Sequence, residues 1–541
     1  MRILSFLCVL VLCGISLKAQ VGIYDSGGPI MPEQGAYDVT FYDLDVRVYP
    51  DERSIEGKVL IQADVVHPMN ELVVDLDTTL RIVRATEGDV SCPVIRNEGK
   101  VHVQLGRTRQ RGEVVRIVVH YEGKPRVAPR APWDGGFDWK KTPSGAHWIA
   151  TSCQTEGADL WWPNKDHVSD EPDSMAIHVR VPDPLVVASN GRLRDTEAHD
   201  DGTTTYHWFV STPINNYNVA LNIAPYRTIE EEMESVTGET FPVVFYVLPE
   251  DYEKGKEFFP QIIEHLTFFE KYLGPYPFRA DKYGVAQTPH LGMEHQTIIA
   301  YGAGFRNDAM TGRDWGFDAL HHHELAHEWW GNLVTNSDWK DMWIHEGFGS
   351  YMQALYIEEL SGAEEYQAYM LRSRFFSDQL PIAPSEGKSS EQIYQAPIYT
   401  KGAWVLHTLR YLIGDEDFFA ALRKMTYPTE ELAQATDGSQ CRFVATKDFI
   451  LICEDVSGMD LGWFFDAYVR QAEIPTMNSR VADNTLTLAW EMPEGMDFPM
   501  PIDVEIDGEI RRVNVPATID LPAGSKPVVD PNNWVLLQLK R

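Results

Sequence analysis

The chain has 541 residues, 44% of them hydrophobic and 23% charged, an ordinary balance for a folded protein and too long for a single hydrophobic core. Its formal net charge of -33 excludes nucleic acid as a partner, because a phosphate backbone has to be met by Lys and Arg. Outside the first twenty residues only Cys92, Cys153, Cys441 and Cys453 remain, too few for a disulfide framework and not spaced as zinc pairs, so a metal has to be held by His and carboxylate. One bridge stays open, with Cys441 and Cys453 the nearest pair.

The start of the chain reads as an export signal over residues 1–19. Met1-Arg2 gives a positive end, Ile3 to Ile15 an apolar run, and Leu17-Lys18-Ala19 a small residue before Gln20. The run is too short to span a bilayer comfortably, and no later stretch is long and apolar enough to do so, so no stable membrane span is expected in the mature chain. Leu12 before Cys13 argues against lipid attachment there. The expected location is periplasmic or extracellular.

From 20 to 238 the pattern is β. Tyr42, Leu44, Val46 and Val48 alternate with Asp43, Asp45 and Arg47, and Val101, Val103 and Leu105 alternate again. Val114 to Tyr121 is a further strand. From 239 to 477 helical patterns take over after a strand at Phe241 to Val247. Tyr252 to Leu273 is expected to be a helix stopped by Gly274-Pro275. From 478 to 541 short strands return: Leu486 to Trp490, Ile502 to Ile506, Arg511 to Val515 and Trp534 to Leu539. The fold class is multidomain α+β.

His323-Glu324-Leu325-Ala326-His327 is an H-E-x-x-H motif inside a segment, Asp314 to Trp330, with helical pattern. Positions i and i+4 of a helix lie one above the other, so both imidazoles can reach one ion. A second helical segment, Asp338 to Leu360, with Asp338 or Asp341 at its start, carries Glu346. A short turn between the two helices would bring Glu346 to the histidines. Two imidazoles and a carboxylate make a zinc site with one position left open, one Zn2+ per chain. Glu324 is rotated about 100° from His323 around the helix, which puts its carboxylate beside that open position as a proton carrier. His321 and His322 are expected behind the site or at the surface.

These residues resemble the M1 family of zinc aminopeptidases, the gluzincins that include aminopeptidase N and leukotriene A4 hydrolase. His323 to Asn332 reads HELAHEWWGN, eighteen residues separate His327 from Glu346, and Asp341 to Phe348 follows the family's D-x-W-x-x-E-G-F. The resemblance covers most of the chain. It implies an N-terminal β-sheet saddle domain, a thermolysin-like α-rich catalytic domain and a small C-terminal β-sandwich, and it implies hydrolysis of the first peptide bond of peptides with a free N-terminus. The large helical C-terminal domain of many relatives has no counterpart up to Arg541, so a more open active site is expected.

The family's G-x-M-E-N strand corresponds to Leu291-Gly292-Met293-Glu294-His295, with Leu291 and His295 departing from the pattern. The resemblance implies that Glu294, with Gly292 and Met293 beside it and Gln154 as second anchor, holds the substrate's amino group. His290 would border the first specificity pocket. Tyr399, just before Lys401-Gly402-Ala403, matches the tyrosine that stabilises the oxyanion. Three other readings share parts of this set: an epoxide hydrolase, an endopeptidase, and a non-catalytic peptide-binding scaffold. Glu294 and Gln154 weigh against an endopeptidase, and the complete ligand set against a scaffold.

Overall fold

The computed structural model describes residues 26–374, 380–385 and 389–540; the expected export signal, 1–19, lies outside them. Alternation of apolar and polar residues becomes sheet as expected. Tyr42, Leu44, Val46 and Val48 are buried along the strand Tyr37–Tyr49, whose intervening residues are partly exposed. That strand runs antiparallel to Ser54–Val65 and parallel to Ser174–Pro182 within an eight-stranded sheet. A three-stranded sheet and a four-stranded sheet complete this β region. The four-stranded sheet contains His147–Ser152, which delivers Gln154 just past its end.

A five-stranded sheet follows. Arg227–Glu234 pairs with Thr240–Val247, so this hairpin sits astride residue 239, where the catalytic region was expected to begin. Tyr283–Gln287, Ile299–Tyr301 and the two-residue strand Gly292–Met293 fill the rest, with Gly292–Met293 antiparallel to Ile299–Tyr301 at the edge. An edge strand keeps one side of its backbone free of sheet partners.

Four helices matter for the site. Helix α1 (Tyr252–Leu273) ends at Gly274, in a left-handed conformation at φ 103°, as expected. Helix α2 is Ala319–Ala326, α3 is Trp343–Ser361 and α4 is Ala396–Ile413. The C-terminal region holds a four-stranded and a three-stranded sheet. There the strand expected at Arg511 to Val515 is Glu509–Val513, and the last strand is only Gln538–Lys540. Trp534 is not in it; its ring stacks on His407 of α4, centroids 4.6 Å apart. Among the described residues, no helix is long and apolar enough to cross a membrane. All four described cysteines are free thiols, so the open question of a Cys441–Cys453 bridge closes without one.

Candidate active site

The H-E-x-x-H helix is shorter than its sequence pattern. The expected span from Asp314 to Trp330 contracts to Ala319–Ala326 because Asp318 caps it, its side chain accepting from the His321 N–H at 3.0 Å. Downstream, Asn332 N–H bonds the His327 carbonyl and Leu333 N–H that of Glu328, wide turns that end the helix at His327. Glu346 does not arrive by a short turn either. The connection contains the strand Val334–Asn336, paired with Arg442–Val444, and the 3-10 turn Trp339–Asp341. Asp338 caps that turn through the Lys340 N–H, and the carboxylate of Asp341 binds Thr446 instead of starting α3.

The three expected ligands nevertheless meet. His323 Nε2 and His327 Nε2 are 3.3 Å apart, and Glu346 Oε2 is 3.3 Å from the first and 3.5 Å from the second. Ligands about 2.0–2.1 Å from a tetrahedral ion stand about 3.3–3.4 Å from one another. The trio therefore has the spacing that a zinc ion requires. His327 Nδ1–H donates to the Trp330 carbonyl at 2.9 Å, which leaves Nε2 with its lone pair facing the others. All three side chains are buried. Burial pushes the Glu346 carboxyl up, but His327 and then His323 outweigh it and hold it below the ordinary range. Burial lowers His327, yet Glu346 reverses this and raises it to about 10. The pair thus favours a positive charge at its centre, the place a metal cation takes.

A second set of donors, Glu294, Glu324 and His327, could also surround an ion, but it shares His327 with the first and so describes the same locality. Glu324 lines the cleft beside the trio. Burial first, then Glu294 and Glu346, push its carboxyl well above the usual value against the pull of His327. Its position depends on Gly292: a Cβ there would collide with Glu324 Oε1 and stand 2.7 Å from Leu320 Cδ1.

Glu294 follows directly after that edge strand. Its Oε1 accepts from Gln154 Nε2 and, at 3.2 Å, from the Tyr217 hydroxyl. Asn332 Nδ2 donates to its backbone carbonyl at 3.1 Å and is itself held by Asn218 at 2.8 Å. Burial raises the Glu294 carboxyl to about 7, only partly opposed by His327. A cationic group entering here would be the natural counter-charge. Met293 is buried alongside, 3% exposed, and borders the cleft.

Tyr399 sits in the first turn of α4, its ring 5.9 Å from that of His323. The helix comes this close to the trio because Gly402 and Gly347 face each other: a Cβ on Gly402 would stand 2.8 Å from Gly347 Cα. Burial, then the Glu346 charge, raise the Tyr399 phenol well above 10, so it stays a hydrogen-bond donor. Tyr394 joins the site without having been expected there. Its hydroxyl is 2.9 Å from Gln154 Oε1 and 3.0 Å from Glu346 Oε1, and it contacts the Tyr399 hydroxyl. Tyr217, Asn218 and Asn332 were also not assigned roles from sequence. Of these only Asn332 carried a signal, as the last residue of HELAHEWWGN.

The cleft, about 240 Å³, is lined by all nine expected site residues together with Pro132, Trp133, Thr155, Leu291, Met310, Leu320 and Tyr394. Of three neighbouring histidines, only His290 lies elsewhere than expected, while His321 and His322 take the first of their two expected places, behind the site. His290 does not line the cleft; it is buried and neither ring nitrogen has a partner. His321 is fully buried behind α2, 2.8 Å from His265 Nδ1 and 3.0 Å from the Tyr283 hydroxyl. His322, equally buried, packs among Phe268, Phe269, Phe317 and Tyr356. The α2 face opposite the metal is packed against α1, so neither can be at the surface.

The chain is similar to known proteins. Residues 39–217 match the peptidase M1 N-terminal domain and residues 258–468 the peptidase family M1 domain. The chain is 24% identical to leucyl aminopeptidase of Saccharolobus solfataricus over 82% of its length and 56% of that protein's. It is 23% identical to glutamyl aminopeptidase of Sus scrofa over 81% of its length and 48% of that protein's. It thus spans about half the length of these relatives. In structure it resembles the M1 zinc metallopeptidase of Deinococcus radiodurans, TM-score 0.66 at 24% identity, over 84% of this chain and 98% of that one. With two M1 domain matches in the right order and the M1 ligand set gathered at one point, the chain belongs to peptidase family M1.

Proposed function

We propose that this protein is a zinc aminopeptidase that removes the first residue of peptides with a free N-terminus. The observation that carries this reading is the pairing of Glu294 with Gln154 beside a zinc-spaced His323–His327–Glu346 trio. A carboxylate held at a set distance from the metal measures off one residue from an ammonium, which disfavours an endopeptidase. When bound, zinc supplies Lewis acidity, polarising a carbonyl and making water more acidic.

The chain's own groups do the rest. Glu294 and Gln154 hold the substrate ammonium. Glu324 accepts a proton from the attacking water at its carboxylate and passes it to the departing nitrogen. The Tyr399 hydroxyl donates to the carbonyl oxygen as negative charge gathers there. Apart from the carboxylates and histidines already assigned, the lining is uncharged, with Leu291, Met293, Met310, Leu320 and Trp133 as its apolar wall. Such a wall suits an uncharged, apolar first residue. The basic and apolar opening of the chain supports export, so the peptides would be met outside the cytosol.

The test is a panel of aminoacyl fluorogenic substrates assayed with and without a chelator. Leucyl and methionyl substrates should be cleaved, chelation should stop them, and added zinc should restore them. Cleavage of N-acetylated peptides as fast as free ones would overturn the exopeptidase reading.

A further inference from the structure

The residues that hold the substrate amine and those that serve its carbonyl come from distant parts of the chain, and one short segment ties them together. Thr155, the neighbour of Gln154, stands in the left-handed region at φ 72°. Its carbonyl accepts from the Ser26 N–H at 3.0 Å and from the Ser390 hydroxyl. The Ser26 carbonyl accepts in turn from the Ser390 N–H at 3.0 Å, and Gly27 bridges to Ser389. The Ser390 carbonyl accepts the Tyr394 N–H at 2.8 Å, and the Tyr394 hydroxyl returns to Gln154, closing a ring of contacts.

The segment is seated with little tolerance. Gly27, at φ 83°, lies on the Trp339 indole so closely that a Cβ would stand 2.7 Å from Nε1. Trp339 packs on Tyr217, centroids 5.8 Å apart, and Tyr217 bonds Glu294. The His167 ring bonds the Gly28 carbonyl at 3.0 Å, and the Ser26 side chain bonds the carboxylate of Asp166. Ser26, Ser389 and Ser390 are all buried, and none lines the cleft.

We propose that Ser26–Gly28 and Ser390 form a clasp whose role is to position Gln154 and Tyr394, and through Tyr394 the hydroxyl of Tyr399, for the reaction. This rests on the aminopeptidase reading. The clasp residues touch no substrate and are positioning residues. A displacement of about 1 Å in such groups costs up to about a hundredfold in rate, so small changes at Ser390 should be read out far from where they are made.

The experiment compares zinc-loaded full chain with Ser390→Ala, Ser390→Thr and Gln154→Ala, and with the pair Gln154→Ala/Ser390→Ala. Hydrogen–deuterium exchange should rise in peptides spanning 151–157 and 390–399 for Ser390→Ala. Its kcat/KM on leucyl substrates should fall about tenfold and recover in Ser390→Thr, which keeps a hydroxyl. Because Ser390 acts through Gln154 and Tyr394, the double variant should lose clearly less than the product of the two single losses. Should Ser390→Ala fail to fold, a mature chain starting at Pro29 removes Ser26 and Gly27 and takes its place. Unchanged exchange in both peptides, or losses that simply multiply, would overturn the clasp. The exchange measurement decides it even in a protein that cleaves no aminoacyl substrate, so the two ideas fail separately.

Discussion

Gly292 shows how little room the Glu324 carboxylate has. Any side chain there meets Glu324 Oε1 directly, so Gly292→Ala should turn Glu324 away and lower kcat by about tenfold or more, with zinc content unchanged. A normal kcat in a folded Gly292→Ala protein would show that Glu324 is not held by that strand. Glu324→Gln keeps the shape but cannot carry a proton. It should bind zinc normally and lose on the order of 10²–10⁴ in turnover, measured against metal content. At this scale the sequence was most legible where chemistry packs several groups into one local pattern: His323, Glu324 and His327 lie on a single turn-and-a-half of helix. Tyr394 was invisible for the opposite reason. Its partner Gln154 is 240 residues away, and no local spacing announces a contact of that range.

Elements position those residues, and here glycine matters more than helix propensity. Helices α3 and α4 approach until backbone meets backbone at Gly347 and Gly402, and this brings Tyr399 beside the point where His323, His327 and Glu346 would hold a metal. Gly402→Ala places a methyl group 2.8 Å from Gly347 Cα, well inside contact distance. It should destabilise the protein by about 1–3 kcal/mol through overpacking and reduce activity by separating Tyr399 from the site. Thermal melts and kcat measured together would show both; a melt equal to the original protein's would contradict the crossing described here. The element boundaries were less legible than the elements. Helix α2 stops eight residues in because Asp318 caps its start and the wide turns after His327 close its end, features outweighed in the sequence by the apolar periodicity running on to Trp330. Trp534 reads as strand, yet the stacking partner it finds on α4 removes it from the sheet.

At the scale of the whole molecule, buried neutral histidines each oppose folding as the solution turns acidic. His407 keeps both ring nitrogens engaged, with the Tyr366 hydroxyl at 2.5 Å and the Asn533 carbonyl at 3.0 Å, and burial lowers it to about 3. Burial likewise lowers His295 to about 3 and His290 to about 4. In the unfolded chain each takes a proton near 6.5; in the folded chain each stays neutral. The unfolded state therefore binds more protons at these rings below that pH, so the stability they contribute is full above about 6.5 and falls as the pH drops toward 3–4, by up to about 1.4 kcal/mol per pH unit for each histidine. Urea midpoints of His407→Gln and of the original protein, measured from pH 7 to pH 4.5, should shift relative to each other in favour of the variant as the pH falls. A difference that does not change with pH would mean that the His407 ring is protonated in the native state.

The amino-acid sequence by itself determined the order of β, α-rich and β regions, the identity of the metal-binding trio and the carboxylate beside it, because alternation, helical period and H-E-x-x-H are short-range patterns that backbone geometry translates directly. Tertiary structure alone decided that His290, His321 and His322 stand apart from the cleft, that Tyr394 joins Gln154 to Tyr399, and that Ser26 reaches Ser390. Those outcomes depend on which surfaces pack against which, and packing is settled by the shapes of side chains hundreds of residues apart, a quantity that no local spacing encodes.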